Sequence, residues 1–212
     1  MSNSTTNTMK NPVAFFFEKS WLLMAAAILF GALLAMLNTA WQPKIKQNEI
    51  DKFNRLAVAL IPDAVNFETA IEKAPIEVSK GKVYNVEVKK GVKADGQVAG
   101  WAFVCEGSGF ADKIKLVIAT DAKFEKLAGF GVISSNETPG FGDKINPTGP
   151  GTFQHQFIGK PATDLELVKA GDASGAKVMA ITGATVTSEA VVKIFNTFLV
   201  PVKETLQKQG LL

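Results

Sequence analysis

The side chains that most often hold metals are nearly missing from this chain, which has one cysteine, Cys105, and one histidine, His155. An internal disulfide, a Cys/His zinc cluster and a His-ligated haem pair are therefore excluded within it. Arginine is almost as scarce: of 23 basic residues only Arg55 is an arginine. Bidentate guanidinium clamps on phosphate are nearly ruled out, so any phosphate has to be held by other donors. The net charge of +3 is too small for the electrostatic footprint of a nucleic-acid binder. There is no G-x-x-x-x-G-K-[ST] loop and no G-x-G-x-x-G after a strand pattern, which leaves P-loop and Rossmann sites without support. Redox chemistry would need an organic cofactor or a partner's metal. With 212 residues, 47% hydrophobic and 20% charged, the chain suits one globular domain plus an appendage.

The appendage is at the start. Residues Trp21 to Trp41 carry no charge, and Trp21–Leu37 is unbroken apolar sequence plus Gly31. Twenty-one helical residues reach about 32 Å, enough for a hydrocarbon core of about 30 Å. The two Trp residues stand where amphipathic rings prefer the membrane interface. A buried soluble helix would show a polar face, and this run has none. A cleaved signal peptide fits less well, because the run exceeds an ordinary apolar core and Asn38-Thr39-Ala40 is a poor cleavage site. The expected layout is a cytoplasmic tail over 1–20, an uncleaved transmembrane helix over 21–41, and a juxtamembrane helix and linker over 42–79. A domain outside the cytoplasm over 80–212 completes it. Lys19, Lys44 and Lys46 flank both ends, so orientation rests on the short tail and large C-terminal domain rather than on charge.

Ile45–Leu60 has helical spacing and Pro62 closes it. Residues 63–81 show no clear period. Four runs then alternate as half-buried antiparallel strands: 83–89, 97–105, 113–118 and 127–133. Asp95-Gly96 and the Gly107–Gly109 break suit hairpin turns. Residues 129–151 hold six Gly and three Pro, a loop of functional length bracketed by hydrophobic structure. From Ser188 to about Gln209 the pattern is helical, with Pro201 expected to kink or split it. The fold class is α+β: one N-terminal transmembrane helix, then an antiparallel-sheet domain with flanking helices.

Two constellations could carry chemistry. Thr182-Gly183-Ala184-Thr185-Val186-Thr187-Ser188 leads into the last helix. Its hydroxyls, small residues and the free N–H groups of a helix start could hold a phosphate. The plainer alternative, favoured by composition alone, is that Thr187 or Ser188 caps the helix. Glu137-Thr138-Pro139-Gly140-Phe141-Gly142 suits a type II turn that presents Phe141, either as an ordinary loop or against a flat ring. His155 is expected at the surface or in packing, and Cys105 as a buried small hydrophobe.

Together these motifs resemble a family. Thr182-Gly183-Ala184-Thr185 resembles the [ST]-G-A-T signature of the covalent FMN-binding domain, and Glu137–Gly142 its companion E-T-P-G-L-G loop. That domain is shared by RnfG of the Rnf ion-translocating electron-transport complex and by NqrC of the sodium-pumping NADH:quinone oxidoreductase. The resemblance covers about residues 80–200, and the single anchor and chain length suit the Rnf branch better. It implies covalent FMN, esterified through its phosphate to Thr185, with Thr182, Gly183 and Ala184 around the attachment. Glu137, Thr138, Phe141 and Gly142 become ring contacts. It also implies an electron relay in a bacterial inner-membrane ferredoxin:NAD oxidoreductase, with no catalytic residue, no metal and no nucleic acid of its own. Its partners would be RnfA, RnfB, RnfC, RnfD and RnfE, with a flavin transferase during maturation. The alternatives are an NqrC-like subunit or a non-redox anchored binding module. Two positions depart from the family: Met179 stands where it often has Asp, and Phe141 where it has Leu.

Overall fold

A computed structural model describes residues 12–77 and 83–212, with side chains over 16–76 and 83–212. Most of the expected tail over 1–20 lies outside the described residues. The chain divides into two compact units, residues 1–48 and 49–212. Helix α1 (Pro12–Leu60) supplies the described part of the first and continues into the second, with Pro43 inside it. In the first unit every side chain from Trp21 to Trp41 is exposed, and the most apolar stretch has a mean hydropathy of 2.3. The run is long and apolar enough to cross a membrane and is not buried within this chain, which suits a membrane span.

The second unit is built on a five-stranded antiparallel meander in sequence order: β1 (Asn66–Glu77), β2 (Val83–Val92), β3 (Val98–Ser108), β4 (Lys113–Asp121) and β5 (Leu127–Ser134). The last four are the alternating runs expected from sequence, each a little longer. Strand β1 lies in the stretch where no period was legible. The turn expected at Asp95-Gly96 is present, and the one expected over Gly107–Gly109 starts at Gly109, because Gly107 and Ser108 still pair with Ile114 and Lys113. Gly96 takes φ +83° and donates its N–H to the Lys93 carbonyl, while Asp95 Oδ1 accepts from Gln97 N–H, closing β2 onto β3. Gly109 N–H donates to the Asp112 carbonyl and closes β3 onto β4.

Successive side chains point to opposite faces, and both faces are apolar where half-buried strands with one solvated face were expected, because a helix covers each side. On one, Trp101, Phe103, Cys105, Ile114, Leu116, Ile118, Phe130 and Val132 form a large core with helix α2 (Thr185–Lys208). The helix contributes Val191, Ile194, Phe195, Phe198, Leu199, Val202 and Leu206. Fully burying each such side chain stabilises the fold by about 1.5–3 kcal/mol before chain entropy is counted. Burial also pushes the Cys105 thiol well above its ordinary pKa, leaving it a packing group. The other face is lined by Ala102, Val117, Ala119 and Ile133, and the end of α1 lies on it through Phe53 and Ala57, with Ile61 just beyond the helix. Small residues are needed there: a side chain at Gly100 would collide with the Thr120 carbonyl and approach Ile61.

Helix α2 begins at Thr185, three residues before the expected Ser188, and is not split at Pro201. Buried Phe198 and Leu199 before the proline, and Val202 and Leu206 after it, hold both halves against the sheet. Between β5 and α2 run two 3-10 turns, Gly142–Ile145 and Gln154–Phe157, and a short parallel pair, β6 (Glu166–Val168) and β7 (Lys177–Met179). Phe153 and Phe157 of this region pack on Phe130 with centroids 6.3 and 4.8 Å away.

Candidate functional site

Three segments distant in sequence meet at the start of α2: the turn after β3, the Glu137–Gly142 loop and the Thr182–Thr187 signature. They enclose a cavity of about 410 Å³ lined by Phe110, Thr138, Phe141, Gly142 and residues 183–187. Its walls are mostly apolar, with the hydroxyl-bearing Thr138, Thr185 and Thr187 among them, and none of its lining residues is charged.

The loop forms as its residues dictate. Gly140 takes φ +77° and Phe141 N–H donates to the Thr138 carbonyl at 3.2 Å, as a type II turn over Pro139-Gly140 requires. The turn holds Phe141 out, 55% exposed, with its ring over Gly183. A Cβ at Gly183 would stand 3.3 Å from that ring, and its φ of +83° suits glycine alone. The two motifs therefore touch.

The signature folds into a turn ahead of the helix. Ala184 N–H donates to the Ile181 carbonyl, and Ala184 occupies the N-cap with no side chain bonded to the helix start. The plainer capping alternative fails on geometry. Thr187 lies inside the first turn and its hydroxyl donates to Glu137. Ser188 Oγ donates to the Ala184 carbonyl at 2.9 Å and accepts from Ile181 N–H at 3.0 Å. The first N–H groups of an α-helix have no partner within the helix, and here no side chain replaces one. Thr185 is the first helical residue, half-buried, at that positive end.

Not every expected residue faces the cavity. Gly183, Ala184, Thr185, Thr138, Phe141 and Gly142 line it. Thr182 is exposed and outside the lining. Glu137 is only 5% exposed and sits behind the wall, both oxygens turned to the protein. Its Oε1 accepts from Phe110 and Ala111 N–H at 2.9 and 3.0 Å, and Oε2 accepts from Thr187 Oγ1 at 2.5 Å. Phe110, Val186 and Thr187 complete the lining; only the Gly-Ser-Gly break before Phe110 hinted at the first. Asn136 braces the same turn, donating to Asp112 Oδ2 at 2.8 Å. That bond, then the Lys113 N–H, holds the Asp112 carboxyl below the usual range. Behind the signature, Gln156 bonds the main chain of Met179 at both ends: its Oε1 accepts at 2.8 Å and its Nε2 donates at 3.2 Å. His155 is exposed.

Comparison with known proteins follows the same lines. Residues 109–200 match the FMN-binding domain family. The G subunit of the ion-translocating oxidoreductase complex of Methanosarcina acetivorans is 32% identical over 175 residues, covering 82% of this chain and 88% of the relative. Its counterpart in the Na(+)-translocating ferredoxin:NAD(+) oxidoreductase complex of Acetobacterium woodii is 30% identical over 189 residues, covering 85% and 88%. Among solved structures, NqrC of Shewanella oneidensis superposes with a TM-score of 0.54 at 25% identity over 70% of this chain and 71% of that one.

Proposed function

Because the chain belongs to the family of RnfG, the G subunit of ion-translocating oxidoreductase complexes, and carries its FMN-binding domain, we propose that it is a membrane-anchored electron-transfer subunit with FMN joined to Thr185. The observation that carries this reading is the meeting of both motifs around one cavity at an uncapped helix start. The residues fit the group. Phe110, Phe141 and Val186 offer apolar walls for a flat ring in a cavity of cofactor size. The hydroxyl of Thr185 and the first N–H groups of α2 offer a phosphate its ester and its hydrogen bonds, in a chain with almost no arginine. FMN supplies the exchange of electrons when bound; the protein supplies attachment, orientation and shielding. Thr185 is thus an anchor point and not a catalyst.

The wider assembly is the ferredoxin:NAD oxidoreductase type named for the relatives. RnfA, RnfB, RnfC, RnfD and RnfE would be partners, and a flavin transferase would load Thr185. The helix over 21–41 would cross the bacterial inner membrane with the C-terminal domain outside the cytoplasm. Protease added to intact spheroplasts should then digest that domain; its protection would reverse the orientation. Attachment is tested by peptide mass spectrometry of the protein from its native host. The expected result is FMN minus water on the Thr185 peptide. Modification at Thr182 or Thr187 would move the site, and unmodified native protein would remove the flavin reading.

A further inference from the structure

Glu137 is a buried carboxylate held by donors alone. Two backbone N–H groups bond one oxygen and the Thr187 hydroxyl bonds the other. Among the described residues no Lys or Arg forms an ion pair with it. It is 5% exposed, so water screens it little. The start of α2, through Thr187, adds the positive end of a helix dipole to the groups that hold it. Two of its three partners are backbone N–H groups, which can only donate, and the Thr187 hydroxyl can donate as well, so the surroundings suit a negatively charged carboxylate.

The charge stands one residue's thickness from the cavity. Phe110 and Thr187, its direct partners, are themselves cavity walls, and so is Gly142, where a Cβ would come within 2.8 Å of Oε2. A side chain at Gly109 would also strike Glu137. The wall is packed so that this carboxylate sits against its back. No lining residue carries a compensating positive charge.

We propose that Glu137 is a positioning residue whose fixed negative charge, placed behind Phe110, Gly142 and Thr187, lowers the reduction potential of the flavin bound in the cavity. The inference rests on the FMN reading above. Two-electron reduction of a flavin leaves negative charge on the ring system unless a proton follows from solvent. A buried carboxylate with no ion-pair partner among the described residues, set behind that wall, opposes that charge. By the same bonds it ties the turn after β3, the E-T-P-G loop and the helix start into one rigid wall.

The test is a redox titration of the flavin-loaded full chain in detergent, followed by flavin absorbance, beside Glu137→Gln and Glu137→Asp. Gln can accept both N–H bonds at its oxygen and donate to Thr187 from its nitrogen, so the wall is kept while the charge is lost. The expected result is a reduction equilibrium shifted at least tenfold toward the reduced form, about 30 mV upward for two electrons. Glu137→Asp keeps the charge and should stay within about threefold of the wild type. Thr187→Val leaves the carboxylate with one donor fewer and should shift the equilibrium the opposite way. An unchanged potential in Glu137→Gln, or an Asp variant that shifts as Gln does, overturns the proposal. So does a Gln variant that melts normally but carries no flavin. Should Glu137→Gln not fold, an unchanged or raised potential in Thr187→Val overturns it alone. Failure of the FMN reading looks different, because the wild-type chain itself would then carry no flavin.

Discussion

The two faces of the sheet are built from opposite materials. The face under α2 is paved with Trp101, Phe103, Leu116, Ile118 and Phe130, while the face under the end of α1 is paved with Ala102, Val117, Ala119 and glycines. Large side chains hold a helix off and fill the space with interlocking rings; small ones bring a helix close to the strands. The thick side extends past the sheet into the loops that enclose the cavity. The thin side carries the tail of the anchor helix. The residues that enclose the cavity and the end of α1 thus belong to opposite sides of one sheet, and changes on one side should leave the other's property intact.

The largest expected effect is at the thick side's edge. Thr185→Val should abolish covalent flavin while shifting stability by less than about 1 kcal/mol, since Val keeps the shape of a partly exposed Thr. Intact mass and a thermal melt measure the two; a melt that collapses along with attachment would make Thr185 part of the core. Next, Phe195→Ala, which removes a fully buried ring 5.5 Å from Phe130, should cost about 3–5 kcal/mol in a denaturant titration and loosen the cavity. On the thin side, Gly100→Ala forces a Cβ onto the Thr120 carbonyl and should cost about 1–3 kcal/mol. Flavin attachment and potential should stay at wild-type values; a loss of flavin there would show that the faces are coupled.

The smallest effect depends on pH. Asp112 is held below its ordinary pKa first by Asn136, so this stabilisation is complete above the unfolded carboxyl value near 4 and is lost as pH falls through the lower folded value. Wild type should therefore melt above Asn136→Ala at pH 7, and the gap should close as pH falls below about 4. A gap that persists in acid would place the Asn136 contribution elsewhere than on Asp112.

One side of this division was legible in the residues: Trp101, Phe103 and Cys105 recur at every second position, which marks the strand and its thick side. The thin side was not, because Ala102, Val117 and Ala119 are too small to mark a buried face. Strand β1 was not legible, because register shifts between Thr69 and Ile71 and between Ile71 and Ala74 break its period, and Pro75 lies within it. The start of α2 was hidden for a related reason: Ala184 caps it without a bonding side chain, and the hydroxyls that resemble caps are engaged elsewhere. Glu137 resembled a ring contact because its motif is local. Its partners Phe110 and Ala111 lie 27 and 26 residues away, and only the folded chain brings them together.

The amide of Gln156 grips Met179 as one base grips another across a duplex, by the edge and not by the side chain. Any residue but proline at position 179 presents the same N–H and carbonyl. The grip is therefore indifferent to the departure from Asp to Met, and an ancestral lineage could pass through several side chains there without losing the lead-in to the signature. Gln156 has no such latitude, because a carboxylate has no donor for the carbonyl and an ammonium no acceptor for the N–H. Substitution should be tolerated at the residue being held and costly at the residue that holds it.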